Sequence, residues 1–113
     1  MHEFTIALNI IDIAKEYAIK AGTEKVIEIE IEVGDVSGVV FEALEFALEN
    51  ATLHTLLEKS TKKIVRIPGK ALCNQCGTEF KIDSIYGECP GCHSFDLNII
   101  EGKELRVKSI LFE

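Results

Sequence analysis

The first segment of the chain repeats apolar residues every three or four positions, which is the spacing of one helix face. Polar residues recur at the same spacing on the other side, so the pattern predicts an amphipathic helix from about Phe4 to Ala21. Gly22 is a suitable stop, because the residue after a helix often adopts a positive φ. The predicted apolar face consists of Phe4, Ala7, Leu8, Ile10, Ile11, Ala14, Tyr17 and Ala18.

A strict alternation of apolar and acidic residues follows from Lys25 to Gly34 and predicts a β-strand with one buried face. Clustered carboxylates can bind a cation, but a solvated sheet face explains them more simply, and we expect the latter. The predicted inner face is Ile27, Ile29, Ile31 and Val33, and the outer face is Glu28, Glu30 and Glu32.

Four further elements are predicted after this strand. A second helix is expected from about Gly38 to Glu49, with Ser37 as its N-cap residue. A short helical turn is expected at Leu53–Leu57, where His54 is interpreted as a surface or half-buried histidine and not as a ligand. Strands are predicted at Lys62–Ile67 and at Glu104–Phe112.

The order of these elements predicts an α/β fold with two helices packed on a small three-stranded sheet. A cysteine-containing segment interrupts it, so we expect a zinc-ribbon-like knuckle module inserted between the second and third strands. The predicted domains are residues 1–68 together with 100–113, and residues 69–99.

Composition restricts the function. The chain has 113 residues and a formal charge of −7, and this acidic balance argues against a nucleic-acid partner. The start of the chain lacks the basic and apolar regions of a secretory signal, and no run approaches the ~18 apolar residues of a membrane span. We therefore expect a cytoplasmic protein without a membrane partner.

The four cysteines form two Cys-x-x-Cys pairs, Cys73/Cys76 and Cys89/Cys92. Two such turns can direct four sulfurs to one point, which predicts a closed tetrahedral zinc site with a structural role. Two alternatives remain, namely a redox-active iron and a pair of disulfides. Few aromatic residues are available to shield iron, and the expected compartment disfavours disulfides.

His93 directly follows the last cysteine. Paired knuckles often have glycine here, where a positive φ is convenient, and histidine is one of the few other residues that tolerates it. His93 is also a candidate alternate zinc ligand if a thiolate becomes protonated.

The amino terminus offers a second candidate metal site. The Met1 amine, the backbone nitrogen and imidazole of His2, and the amide nitrogen of Glu3 can place four nitrogens in one plane. Square-planar nitrogen ligands favour Ni²⁺ or Cu²⁺ over Zn²⁺. Taken alone, the pair Met-His is a weak signal.

Four motifs in order carry a family resemblance: Met1-His2-Glu3, residues 33–39 (VGDVSGV), the paired Cys-x-x-Cys knuckles, and residues 102–109 (GKELRVKS). Together they resemble the HypA/HybF family of hydrogenase nickel-incorporation proteins over essentially the whole chain. His93 departs from the family pattern, which looks glycine-like at that position in many members.

The resemblance implies a nickel metallochaperone without enzymatic turnover that delivers Ni(II) during [NiFe]-hydrogenase maturation. It implies that His2 binds nickel with the Met1 amine and the Glu3 backbone nitrogen, and that the four cysteines hold Zn(II). The implied partners are the HypB GTPase, the hydrogenase large subunit and, in some members, urease maturation proteins; we expect a monomer or weak homodimer. The competing hypotheses are a zinc-ribbon adaptor without nickel transfer and an iron-containing electron carrier.

Overall fold

The computed structural model describes residues 2–84 and 87–113. Within them the chain forms two α-helices and six β-strands. The helices are α1 (Glu3–Ala21) and α2 (Phe41–Ala51), and the strands are β1 (Val26–Gly34), β2 (Thr61–Ile67), β3 (Gly69–Cys73), β4 (Glu79–Ile82), β5 (Leu97–Glu101) and β6 (Leu105–Phe112).

Helix α1 agrees with its prediction within one residue at its start. Gly22 follows it with φ 71° and donates its amide hydrogen bond to the carbonyl oxygens at the end of the helix, as expected for a glycine stop. Three residues of the predicted apolar face, Phe4, Leu8 and Tyr17, are exposed. The buried face of α1 is narrower than predicted and consists of Ala7, Ile10, Ile11, Ala14 and Ala18.

Helix α2 starts later than predicted, and Ser37 is not its N-cap. The capping residue is Val40, whose side chain cannot accept a hydrogen bond. Gly38 has φ 84°, outside the helical region, so the chain turns before the helix begins at Phe41. The Ser37 hydroxyl instead accepts a hydrogen bond from the Val39 amide at 3.3 Å.

The first sheet has the order β2-β1-β6, with β1 parallel to β2 and antiparallel to β6. Helix α2 lies in the connection between the two parallel strands, which cannot be joined by a tight turn. Both helices cover one face of this sheet. This arrangement confirms the predicted fold class, and its core includes the fully buried side chains of Ile29, Ile31, Leu44, Leu48 and Leu57.

Strand β1 departs from the predicted alternation at its beginning. Ile27 is 46% exposed, although it was assigned to the inner face, and Val26 is buried in its place. The register with β6 shifts between Val26 and Glu28, and such a bulge turns the side chains before it to the other side. Ile29, Ile31 and Val33 are buried as predicted.

The acidic face of β1 is more covered than a solvated surface would be. Glu32 is 8% exposed and accepts a hydrogen bond of 2.6 Å from Arg106 Nε. Glu30 lies 3.4 Å from Lys63 Nζ and 3.6 Å from Lys108 Nζ. The neighbouring strands therefore supply cations to this face, which corrects the expectation of full solvation and argues against a cation site there.

Turns follow α2 in residues 52–60, where a short helical turn was expected. Thr55, Glu58 and Ser60 each donate a backbone hydrogen bond to the carbonyl three residues earlier. His54 is exposed with φ 62°, in agreement with its interpretation as a surface histidine.

The second sheet has the order β4-β3-β5 and is antiparallel throughout. It carries a small core of its own, to which Val36 from the loop after β1 contributes together with Ala71 and Ile82. Cys73 ends β3 and pairs with Leu97 of β5. The cysteine pairs therefore lie at one end of this sheet.

The two sheets meet at a close approach of glycine backbones. A Cβ atom added to Gly34 would lie 1.9 Å from the carbonyl oxygen of Gly102, and one added to Gly102 would lie 2.6 Å from Gly69 Cα. The Gly34 amide donates to the Glu104 carbonyl at 2.7 Å, and the Val36 amide donates to the Gly102 carbonyl at 2.8 Å. No side chain fits between these segments, so the junction depends on glycine at these positions.

Candidate metal centres

The structure brings all four cysteines together. Their sulfur atoms lie within 4.8 Å of one another, and the pairs Cys73–Cys92 and Cys76–Cys89 are each separated by 3.5 Å. A tetrahedron of sulfurs around zinc, with Zn–S near 2.3 Å, has edges of about 3.8 Å. The cluster thus has the size of a tetrathiolate metal site.

Local backbone geometry explains why the sulfurs converge. In the first pair the Gly77 amide donates to the Cys73 carbonyl at 2.9 Å, and in the second the His93 amide donates to the Cys89 carbonyl at 2.8 Å. These bonds close the same tight turn twice. In addition, the Cys76 amide points to Cys73 Sγ at 3.5 Å. The first cysteine of each pair, Cys73 and Cys89, is buried, whereas Cys76 and Cys92 are exposed.

Nearby amides and neighbouring sulfur atoms perturb the pKa values of three of the thiols. The amide of Cys76 lowers the pKa of Cys73, and the hydroxyl and amide of Thr78 lower the pKa of Cys76 to about 6. The Ser94 amide lowers the pKa of Cys92, but the sulfur of Cys73 and the other thiols outweigh it and raise that pKa to about 12. Four thiolates this close would repel one another, and a bound cation at their centre would offset that repulsion.

This donor set fits a structural zinc ion. Four thiolates complete a closed tetrahedron and leave no position for water or substrate, which distinguishes structural from catalytic zinc. Within residues 2–84 and 87–113, these cysteines are the one group of three or more His, Cys, Asp or Glu side chains whose ligand atoms converge.

His93 adopts φ 63°, which confirms that the second knuckle needs a left-handed residue here. Its Nδ1 atom lies 3.4 Å from Glu88 Oε1 and is not part of the converging group. The side chain therefore interacts with a neighbouring carboxylate next to the zinc site.

The amino-terminal candidate begins helix α1. His2 is exposed and occupies the N-cap position, and its carbonyl oxygen accepts a hydrogen bond from the Ile6 amide at 3.2 Å. Glu3 is the first helical residue, so no carbonyl of the helix is available to its amide. The predicted ligand Met1 lies outside the described residues.

The side chain of Glu3 has a contact that sequence reasoning missed. Its carboxylate Oε2 accepts a hydrogen bond from the Val40 amide at 3.1 Å, at the start of α2. This amide and that of Glu3 itself lower the pKa of the Glu3 carboxyl. The second helix thus obtains its capping carboxylate from the other helix, and α2 begins beside the candidate nickel ligands. A pattern of local spacing gives no sign of a cap donated from a distance of 37 residues.

A family model described as "Hydrogenase/urease nickel incorporation, metallochaperone, hypA" matches residues 1–112. The chain belongs to the HypA family. Hydrogenase maturation factor HypA of Parabacteroides distasonis is 42% identical over 115 residues, covering 100% of this chain and 98% of that protein. The corresponding protein of Geobacter metallireducens is 38% identical over 113 residues, covering 100% of both chains.

The fold is also similar to solved HypA structures. The solution structure of the Ni metallochaperone HypA from Helicobacter pylori aligns with a TM-score of 0.69 and 26% identity, covering 99% of this chain and 97% of that one. A second structure, titled "Solution structure of HypA protein", aligns with a TM-score of 0.70, 26% identity and coverage of 100% and 97%.

These findings confirm the predicted family resemblance and the role that goes with it. As a HypA family member, the chain is a nickel metallochaperone of hydrogenase maturation, and it works with the maturation machinery. Neither helix of the described residues is long and apolar enough to cross a membrane.

Proposed function

We propose that this HypA protein binds Ni(II) through its amino-terminal nitrogens and releases it to the hydrogenase precursor. The ligands are the Met1 amine, the amide nitrogen and imidazole of His2, and the amide nitrogen of Glu3. The observation that supports this most is the position of His2 at an exposed helix start, where the following amide has no helical acceptor. Nickel therefore replaces no backbone–backbone hydrogen bond of the helix, only the contact of the Glu3 amide with its own carboxylate.

The chemistry of such a site favours reversible binding. Planar nitrogen ligands suit Ni²⁺, and two of them must lose amide protons before they can bind. The amino-terminal end of a helix carries a partial positive charge, which stabilises negative groups such as a deprotonated amide. Acidification returns the protons and weakens the site, so nickel can leave without unfolding of the chain.

The two metals have different tasks in this proposal. We assign the zinc-binding domain to residues 69–99, whose Cys73, Cys76, Cys89 and Cys92 retain their ion, with β5 of its sheet continuing to Glu101. The nickel-binding domain is then residues 1–68 with 100–113. We assign no enzymatic turnover to the protein and place it in the cytoplasm as a monomer or weak homodimer. Its proposed partners are the HypB GTPase, the [NiFe]-hydrogenase large subunit and urease maturation proteins, without nucleic acid or membrane.

Surface chemistry near the nickel site supports a protein partner. Phe4, Leu8 and Val40 are 55%, 45% and 57% exposed. Apolar side chains beside a transferable metal are suited to exclude water when a donor or acceptor protein binds.

Nickel titration of the untagged, zinc-loaded protein tests the proposal. The chain has three histidines, so His54→Ala removes an exposed imidazole elsewhere and serves as a matched control for His2→Ala. We expect one nickel per wild-type chain, loss of nickel binding in His2→Ala, and unchanged nickel binding in His54→Ala, with zinc retained in all three. Wild-type nickel affinity in His2→Ala would reject the site, and no nickel binding by the wild type would favour a zinc-ribbon adaptor.

A further inference from the structure

Asp96 connects the two halves of the zinc module through its side chain. Its carboxylate oxygens accept one hydrogen bond each, from Asn74 Nδ2 at 3.1 Å and from Gln75 Nε2 at 3.3 Å. Its carbonyl oxygen accepts a third bond, from the Asn74 amide at 2.9 Å. Asn74 and Gln75 are the two residues between Cys73 and Cys76, so one residue contacts the whole turn of the first knuckle.

Asp96 belongs to the other half of the module. It follows the second knuckle and directly precedes β5. The Ser94 hydroxyl accepts a hydrogen bond from the Asp96 amide at 3.0 Å, which fixes Asp96 in turn. Since the bonds described above close each knuckle internally, they do not determine the distance between the two knuckles. The contacts of Asp96 determine this distance, together with the pairing of Cys73 with Leu97.

We propose that Asp96 is a positioning residue that holds the first knuckle against the second, so that the four sulfurs are already arranged when zinc arrives. A carboxylate is the right group, because it offers only acceptors to two side-chain amides that offer donors. It does not contact the metal. Groups that orient metal ligands commonly change metal affinity by about 10- to 100-fold when they are removed.

The inference rests on the zinc assignment of the proposed function and is independent of the nickel site. Zinc transfer from the full-length protein to a chromophoric chelator measures it. In Asp96→Asn one amide hydrogen of the new side chain faces a donor, so we expect zinc to dissociate about tenfold faster than from the wild type. Asp83→Asn removes an exposed charge of the same module and should dissociate at the wild-type rate.

A mutant cycle separates positioning from a general loss of stability. The double variant Asn74→Ala/Gln75→Ala removes the donors and leaves Asp96 intact, and it covers the case in which an Asp96 variant fails to fold. We expect this double variant to release zinc as fast as Asp96→Ala does. The triple variant, which combines the three substitutions, should release zinc no faster than either, because all of these variants remove the same contact. Nickel affinity should not change.

Three results would overturn the proposal: wild-type dissociation in Asp96→Asn, wild-type dissociation in the double variant, or independent effects that multiply in the triple variant. If the wild-type protein as purified held no zinc, the zinc assignment itself would fail. The zinc content of the wild type is therefore measured before any variant is compared.

Discussion

The glycine junction between the two sheets gives the most direct test of the architecture. Gly34→Ala adds one methyl group at the end of β1, where it would lie 1.9 Å from the Gly102 carbonyl oxygen and 2.1 Å from its carbonyl carbon. Both atoms belong to the backbone, so no flexible side chain can move aside. The residues around Gly102 must therefore separate from the end of β1.

The loss in free energy of unfolding follows from the contacts that this separation breaks. Two backbone hydrogen bonds cross the junction, from Gly34 to Glu104 at 2.7 Å and from Val36 to Gly102 at 2.8 Å. Each contributes about 1 kcal/mol to the free energy of unfolding, and overpacking adds about 1–3 kcal/mol. We expect Gly34→Ala to lower the free energy of unfolding by about 3–5 kcal/mol, a large share of the ~5–15 kcal/mol typical of a domain.

Urea unfolding of the zinc-loaded protein, followed by circular dichroism, measures this loss. Gly22→Ala is the matched control, because Gly22 has φ 71° with no atom within 4 Å of the added Cβ. It should cost only the backbone strain of a left-handed alanine, on the order of 1 kcal/mol. If Gly34→Ala were no more destabilising than Gly22→Ala, the close approach of the two sheets would be wrong.

Two further predictions concern the metal centres. Cys89→Ser should lose zinc while the first sheet stays folded, which metal analysis and amide NMR spectra can check. If this variant remained colourless, kept its zinc and was as stable as the wild type, a structural role of the site would be contradicted. Because the pKa of Glu3 is lowered, its bond to the Val40 amide should persist below the ordinary glutamate value of 4.5 and be lost on further acidification. The Val40 amide shift should report this titration, and an unchanged titration in Glu3→Gln would disprove the contact.

Local sequence patterns were sufficient to predict the structure of those elements that one physical principle determines. The helical period of α1 and the alternation in Ile29–Val33 were visible because burial of one face decides both. The convergence of the four cysteines was predictable because each Cys-x-x-Cys turn directs its two sulfurs to one point.

The errors have a common cause in contacts between distant segments. The bulge that exposes Ile27 results from the register of β1 with β6. Glu32 of β1 is covered by Arg106, which also lies on β6. Ser37 looked like an N-cap, yet α2 begins later and takes its carboxylate from Glu3. Pairing and capping across the fold leave no periodic trace in the sequence.

X-ray absorption at the nickel edge tests the central claim most directly, using untagged protein that carries both nickel and zinc. The account predicts nitrogen neighbours only in the wild type, with an imidazole contribution among them, and no bound nickel in His2→Ala. Sulfur atoms in the nickel shell, with the spectrum unchanged by His2→Ala, would place nickel among the cysteines and contradict the assignment of separate sites to the two metals.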